Sequence, residues 1–294
     1  IRQGLAIATG RASPEIIQDP VENKMLNPLS SIHQAESEGK LILIVEDNLI
    51  NQEVIERQIN QFGYVAEVAN NGVEALEKMS QRRYGLVMTD CHMPEMDGWE
   101  LVKAIRKQEH GGSERTPVVG ITANVLQGEE EHCLAAGMDD FVTKPVELKT
   151  LKRLLRRWLP LDDTPEPDIA DDETTLNTST ADSGAPINLN VLARYLGDNL
   201  ELQKQLMAKF FDQSGITVAA IVDAAENKDC PAVIALAHKL KSAAATVGAV
   251  ALADLCAQLE DAGKQKNIVQ VPNLARQLAA ELKFAGDYWL KLVM

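Results

Sequence analysis

Five polar side chains in the first half of the chain stand just past short apolar runs. Glu46-Asp47 follow Leu41–Val45, Asp90 follows 86–89, Thr122 follows 118–121, and Lys144-Pro145 follow 141–143. If those runs are parallel strands of one open sheet, their C-terminal ends share an edge, which is where such sheets bind ligands. Three carboxylates gathered there repel one another unless a cation lies between them. Oxygen donors without nearby His or Cys favour Mg²⁺, which keeps its waters and still accepts a phosphoryl oxygen. A hydroxyl and an ammonium beside the ion supply what a phosphoryl group needs, charge neutralisation and positioning of its oxygens. In that setting Asp90 can act as a nucleophile and form an acyl phosphate.

The second half offers one histidine of interest. In the helical segment 230–246, Leu236, Leu240, Ala243 and Val247 recur at i, i+4, i+7 and i+11 and are expected to form the buried stripe. His238 lies about 200° around the wheel from Leu236, at roughly 100° per residue, so it is expected to face solvent with Lys241 one turn along. Ala237, Ser242, Ala244, Ala245 and Gly248 around it are small and leave room for another protein. Neutral imidazole is a competent nucleophile, and Lys241 can neutralise an incoming phosphoryl group. His33, His110 and His132 have no comparable setting.

The elements that must position these residues follow from the hydropathy pattern. The runs at 41–45, 65–69, 86–89, 118–121 and 141–143 alternate with helical segments at 49–61, 72–82, 97–108, 127–136 and 147–158. Five strands alternating with five helices predict an α/β fold, a doubly wound five-stranded parallel sheet, over 41–160. Residues 1–40 lack a sustained period and carry three prolines, which predicts a linker with one short helix. Residues 161–186 contain eight acids, no base and three prolines, and predict an acidic flexible linker. At about 5–6 Å × √n such a tether spans about 25–30 Å, holding its two ends at high effective concentration without locking them together. From 187 to 294 the pattern is helical throughout, with segments near 189–197, 199–213, 215–228, 230–246, 250–264 and 271–291, and predicts an all-α bundle. Asp229 before Pro231 is a helix start of good chemistry, an N-cap acid and an early proline.

Composition narrows the function classes. With 29 basic and 43 acidic residues the formal charge is −14, poorly suited to neutralising phosphates, so no nucleic-acid partner is expected. Four widely spaced cysteines with no C-x-x-C predict a reducing, cytoplasmic setting rather than a disulfide framework or zinc site. No apolar stretch reaches the roughly 18 residues of a membrane span, so no membrane contact by these residues is expected. The chain begins with Ile and reads as part of something longer.

Residues 41–158 resemble the receiver domain of two-component response regulators, particularly those fused to hybrid histidine kinases. The resemblance is carried by Ile44-Val45-Glu46-Asp47-Asn48, by Thr89-Asp90-Cys91-His92-Met93-Pro94-Glu95-Met96-Asp97-Gly98, by Ile121-Thr122-Ala123-Asn124 and by Lys144-Pro145. It implies a flavodoxin-like sheet in which Asp90 accepts a phosphoryl group. Glu46, Asp47 and Asp90 would hold Mg²⁺, aided by the backbone carbonyl of His92. Thr122 and Lys144 would bind the phosphoryl oxygens, Phe141 with Thr122 would form the switch that signals phosphorylation, and the Lys144-Pro145 bond would be cis. Position 92, often an amide in such receivers, is His here.

Ala237-His238-Lys239-Leu240-Lys241-Ser242-Ala243 with Gly248-Ala249 is similar to the histidine phosphotransfer (HPt) motif, with Ser242 where Gly is frequent. Leu255, Cys256, Leu259 and Glu260 fit the following helix of that family. The similarity covers about 187–294 and implies a four-helix bundle with His238 as second phosphoacceptor.

Together the halves are similar to the C-terminal part of a hybrid sensor kinase, whose parent could be anchored in an inner membrane. The resemblance implies a phosphorelay: a kinase histidine, in the same parent chain or a dimer partner, charges Asp90. His238 then receives the group and passes it to a downstream response regulator receiver. No ATP-binding boxes are present, so no autokinase activity is expected of this sequence. Two alternatives remain open at this point. One is a receiver/HPt pair acting as a phosphate sink or interaction module. The other is an Mg-dependent aspartate-nucleophile phosphatase, which would want a second Asp where His92 stands.

Overall fold

The structure is a computed structural model that describes residues 31–109, 115–122, 129–161, 185–196 and 199–293. The first described helix, α1 (Ile32–Ser37), is capped by the Ser31 side chain and buries Ala35 against the sheet. Five strands follow, β1 (Leu41–Val45), β2 (Val65–Ala69), β3 (Leu86–Asp90), β4 (Val118–Thr122) and β5 (Asp140–Thr143). They alternate with α2 (Leu49–Gln61), α3 (Gly72–Gln81), α4 (Gly98–Glu109), α5 (Glu129–Ala136) and α6 (Leu148–Trp158). All pairings are parallel and the order is β2-β1-β3-β4-β5.

The period of two in a strand sends alternate residues of β1 to opposite cores. Leu41, Leu43 and Val45 pack with residues of α3, α4 and α5, while Ile42 and Ile44 pack with residues of α2 and α6. Every residue of β1 and β3 is buried, as a sheet covered on both faces requires. Each fully buried Leu or Ile contributes about 1.5–3 kcal/mol relative to an exposed one.

The C-terminal half is helical. After α7 (Leu189–Leu196) come α8 (Leu200–Glu226), α9 (Cys230–Thr246), α10 (Val250–Lys264) and α11 (Gln270–Val293). The last four form a four-helix bundle, α8 packing on α9 and α11, and α10 on α9 and α11. The Asp229 side chain accepts from Ala232 N–H and Pro231 sits in the first turn of α9, as its sequence predicts. Between α9 and α10, Gly248 has φ of 76°, and a Cβ there would lie 2.5 Å from the Asn188 carbonyl. A glycine is required at that crossing.

Two local expectations are corrected. The predicted break between 213 and 215 does not exist: α8 runs unbroken through Gly215. Gly costs about 1 kcal/mol in a helix interior, and burial of Leu206, Phe210, Val218 and Ile221 along the same helix outweighs it. A Cβ at Gly215 would meet nothing within 4 Å. Gly215→Ala is therefore expected to stabilise the bundle by about 0.5–1 kcal/mol, read as a raised denaturation midpoint with unchanged slope.

The buried stripe of α9 is also rotated from its predicted phase. Leu240, Ala243 and Val247 are buried, but Leu236 is half-buried and the core position beside it is Ala237, together with Val233 and Ala244.

The cause lies in a second contact surface on α9. Helix α2 packs against α7, α8 and α9, and Ile50 and Val54 join the hydrophobic cluster of the bundle. The sheet domain and the bundle are thus docked onto each other, where the sequence predicts domains held near each other but not locked. Of the expected acidic linker 161–186, residues 162–184 lie outside the described residues, as do residues 1–30 of the expected N-terminal linker 1–40, whose described part carries the one short helix α1.

Candidate functional site

The C-terminal edge of the sheet collects the predicted residues. Glu46 follows β1 directly and is fully buried, Asp90 ends β3 and Thr122 ends β4, both buried. Lys144 follows β5, and its bond to Pro145 is cis. Oxygen atoms of Glu46, Asp47 and Asp90 lie within 4.8 Å of one another, a donor set that fits a hard divalent cation. The Lys144 ammonium reaches Glu46 Oε2 at 2.6 Å and Asp90 Oδ2 at 2.5 Å. The His92 backbone N–H donates to Asp90 Oδ1 at 3.1 Å. Gly98 allows the intervening loop to fold back, since a Cβ there would lie 2.3 Å from the Asp90 carbonyl. Phe141 is half-buried on β5, opposite Gly120 of β4.

Burial pushes the Glu46 carboxyl above its ordinary value, the Lys144 ammonium opposes this and the Asp90 charge adds to it. Burial alone would lower Lys144, yet Glu46 and Asp90 hold its ammonium above the usual lysine range. A raised carboxyl has a definite sign in stability. Above pH 4.5, the ordinary value of Glu46, the folded chain retains a proton that the unfolded chain has released. Stability therefore falls as pH rises through the raised value. In chelator, Glu46→Gln is expected to remove this part of the decline in melting temperature between pH 5.5 and 8. An unchanged pH profile in the variant would show Glu46 ionised throughout.

Helix α9 brings His238 to the same edge. Its side chain is 38 % exposed and its ring centroid lies 6.1 Å from that of His92. His92 in turn packs edge-on against Trp99, which stacks on His132. Rather than facing open solvent, His238 faces the sheet domain across a cavity of about 220 Å³. Glu46, Asp47, Asp90, His92 and Lys144 line it from the sheet domain; His238, Lys239, Lys241 and Ser242 line it from the bundle. Lys241 lies on the same face as His238, as predicted, but its ammonium is held by Glu260 Oε1 at 2.6 Å.

The roles of three sets of residues escaped the sequence reading, with Glu260 placed only as part of the following helix. Glu260, buried on α10, also lies 3.4 Å from His238 Nδ1. Burial works against its charge, but the neighbouring His238 and Lys241 side chains hold the carboxyl below its ordinary value. A signal existed: Leu252, Cys256 and Glu260 recur every four residues, and an acid on an apolar stripe must have buried partners. The second set joins the domains. Asn48 Nδ2 donates to the Lys239 carbonyl at 2.9 Å and Asn51 Nδ2 to Ser242 Oγ at 2.8 Å. Thr246 Oγ1 donates to Asn51 Oδ1 at 2.9 Å, and Gln58 Nε2 donates to both the Val146 and Tyr195 carbonyls. Third, the Lys239 ammonium reaches the Asp47 carbonyl at 2.7 Å and its carboxylate at 3.2 Å.

Residues 42–156 match the family model of the response regulator receiver domain, and residues 205–284 match that of the Hpt domain. The chain thus carries a receiver domain followed by an Hpt domain, the two kinds of carrier in a phosphorelay. It is 33% identical over 168 residues to a probable histidine kinase 1 of Oryza sativa subsp. indica, covering 47% of this chain and 17% of that protein. It is 38% identical over 131 residues to the sensor histidine kinase RcsC of Escherichia coli K12, covering 44% of this chain and 13% of that protein. It therefore spans less than a fifth of the length of these relatives. Among solved structures, the receiver domain of a sensor histidine kinase from Pseudomonas aeruginosa, with a magnesium ion in its active-site cleft, is 42% identical. The match covers 40% of this chain and 95% of that one, at a TM-score of 0.37. The described residues contain no helix long and apolar enough to cross a membrane.

Proposed function

We propose that this chain is the receiver–HPt portion of a hybrid sensor kinase and relays a phosphoryl group from Asp90 to His238 within one chain. The single observation that carries the reading is the shared cavity. One cavity has the Asp90 carboxylate on one wall and the His238 imidazole on the other. Phosphoryl transfer asks for positioning and charge stabilisation more than for covalent machinery, and a docked pair of domains supplies both.

Asp90 takes the group from a kinase histidine, forming an acyl phosphate. Glu46, Asp47, Asp90 and the His92 carbonyl would hold Mg²⁺, which when bound supplies neutralisation of the phosphoryl oxygens. Thr122 and Lys144 bind those oxygens from the receiver and Lys241 from the HPt domain, with Phe141 and Thr122 as the switch pair. For the onward step the Glu260 carboxylate accepts from His238 Nδ1–H, which leaves the lone pair on Nε2 free to attack. The Asp90 Oδ–P bond breaks as the Nε2–P bond forms, the carboxylate is regenerated, and Glu260 balances the positive charge that develops on the ring. A downstream receiver then takes the group from His238.

The test is radiolabel from a phosphorylated kinase domain, chased with time in the full chain. Label is expected first in a base-labile acyl phosphate and then in an acid-labile phosphohistidine, and chelation of Mg²⁺ is expected to stop both. Label that never becomes acid-labile would refute the relay.

A further inference from the structure

The docked arrangement places ammonium groups from both domains on the same three carboxylates. Lys144 of the receiver bridges Glu46 and Asp90. Lys239 of the HPt domain takes Asp47 by its backbone carbonyl and by Oδ2. The remaining contacts across α2 and α9 are of another kind. Asn48, Asn51, Ser242 and Thr246 join through neutral hydrogen bonds, although Asn51 Nδ2 also donates to Glu46 Oε1 at 3.0 Å. Lys239 is therefore the one cross-domain contact of that α2–α9 seam, among the described residues, that addresses the acidic pocket by charge.

We propose that Lys239 is a positioning residue that makes HPt docking sense the charge state of the receiver pocket: its ammonium acts as counter-ion to Asp47, and a divalent cation in the pocket displaces it. The inference rests on Glu46, Asp47 and Asp90 being the cation site. A dication bound to Asp47 stands within a few ångströms of the Lys239 ammonium, in a half-enclosed space where charges are poorly screened. The two cations then compete for one carboxylate, so metal binding and docking oppose each other. Phosphorylation replaces the single negative charge of Asp90 with the roughly two of an acyl phosphate, a net gain of about one that offsets part of the ion's charge and restores attraction for Lys239. Docking is thus tight on the metal-free or the phosphorylated, metal-loaded receiver and loose on the metal-loaded receiver without phosphoryl. An HPt domain so equipped engages a receiver that has something to give and releases one that has delivered.

Linkage makes the idea measurable in both directions, because two ligands that oppose each other do so by the same factor. Mg²⁺ would be titrated calorimetrically into the full chain, into Lys239→Gln, into Lys239→Arg, and into Lys283→Gln. The last removes an equal charge from an exposed position of α11. Lys239→Gln is expected to tighten Mg²⁺ binding about tenfold, within the usual 5- to 150-fold range of site–site coupling. Lys239→Arg and Lys283→Gln are expected to stay near wild type. With dyes on exposed Lys103 and Lys291, Mg²⁺ is expected to lower interdomain energy transfer in wild type and to change it little in Lys239→Gln. Equal Mg²⁺ affinity in wild type and Lys239→Gln overturns the coupling while leaving the cation site standing. A tightening by Lys283→Gln equal to that by Lys239→Gln reduces the effect to net charge and also overturns it. No Mg²⁺ binding to any of these proteins overturns the cation site itself and the coupling with it.

Discussion

Asp90→Asn is expected to leave His238 unlabelled when phosphoryl is supplied by an upstream kinase, with residual label below roughly 1% of wild type. The amide is not nucleophilic, so no acyl phosphate forms from which His238 could be charged. In the order proposed here His238 takes its phosphoryl group from Asp90 and not from the kinase histidine. His238→Gln is expected to behave in the opposite way. It should label normally on Asp90, in base-labile form only, and the acyl phosphate should persist because its acceptor is gone. The pair of variants separates order from competence. If Asp90→Asn still passes label from the kinase to His238, the order proposed here fails even though both residues are carriers. Asn at position 90 keeps an oxygen that can accept the His92 N–H but loses the ion pair with Lys144. A thermal melt of the variant therefore checks that lost label is not lost fold.

The receiver site was legible because a parallel sheet converts sequence order into spatial convergence. Glu46, Asp90, Thr122 and Lys144 are scattered over about a hundred positions, yet each closes or follows a strand, and strands of one direction must end on one edge. The bundle was legible from its helical period and caps but not in its details. Gly215 reads as a break locally, and only the summed burial on both sides of it keeps α8 continuous. The phase of α9 differs from the expected one because the helix has more than one covered face. Leu240 and Ala243 face the bundle, while Ser242 and Thr246 meet Asn51 of the receiver. Two covered faces on one helix blur its amphipathic signal.

Docking itself was not legible at all. Its polar contacts join residues far apart in sequence, about 190 positions for Asn51 with Ser242 and for Lys239 with Asp47, and Ile50 and Val54 read locally as part of an ordinary amphipathic helix. Asn48 illustrates the difficulty. Its side-chain oxygen caps α2, a sufficient local reason for an Asn, while its amide nitrogen serves the other domain. A residue with a complete local explanation gives no sign of a second role.

Glu260 carries the other large expectation, since it sets which nitrogen of His238 reacts. With the carboxylate 3.4 Å from Nδ1, that nitrogen is expected to keep its proton and the phosphoryl group to arrive on Nε2. Glu260→Ala is expected to slow transfer from Asp90 about 10- to 100-fold, by analogy with the carboxylates that orient metal-bound imidazoles. A slower rate alone would also follow from a disturbed bundle, so the informative readout is the isomer formed. Nuclear magnetic resonance of the phosphorylated chain is expected to show Nε2-phosphohistidine only in wild type and a share of the Nδ1 isomer in Glu260→Ala. Glu260→Gln, which can still accept through its amide oxygen, should restore the isomer but only part of the rate, because it cannot balance the charge that develops on the ring. Stability follows the same carboxylate. Held below its ordinary value of 4.5, Glu260 contributes stability above that pH, and the contribution is lost as pH falls through the lowered value. Wild type and Glu260→Ala should therefore differ most near neutrality and converge in acid. Exclusive Nε2 phosphorylation at wild-type rate in Glu260→Ala would show that the bundle aims His238 without the carboxylate.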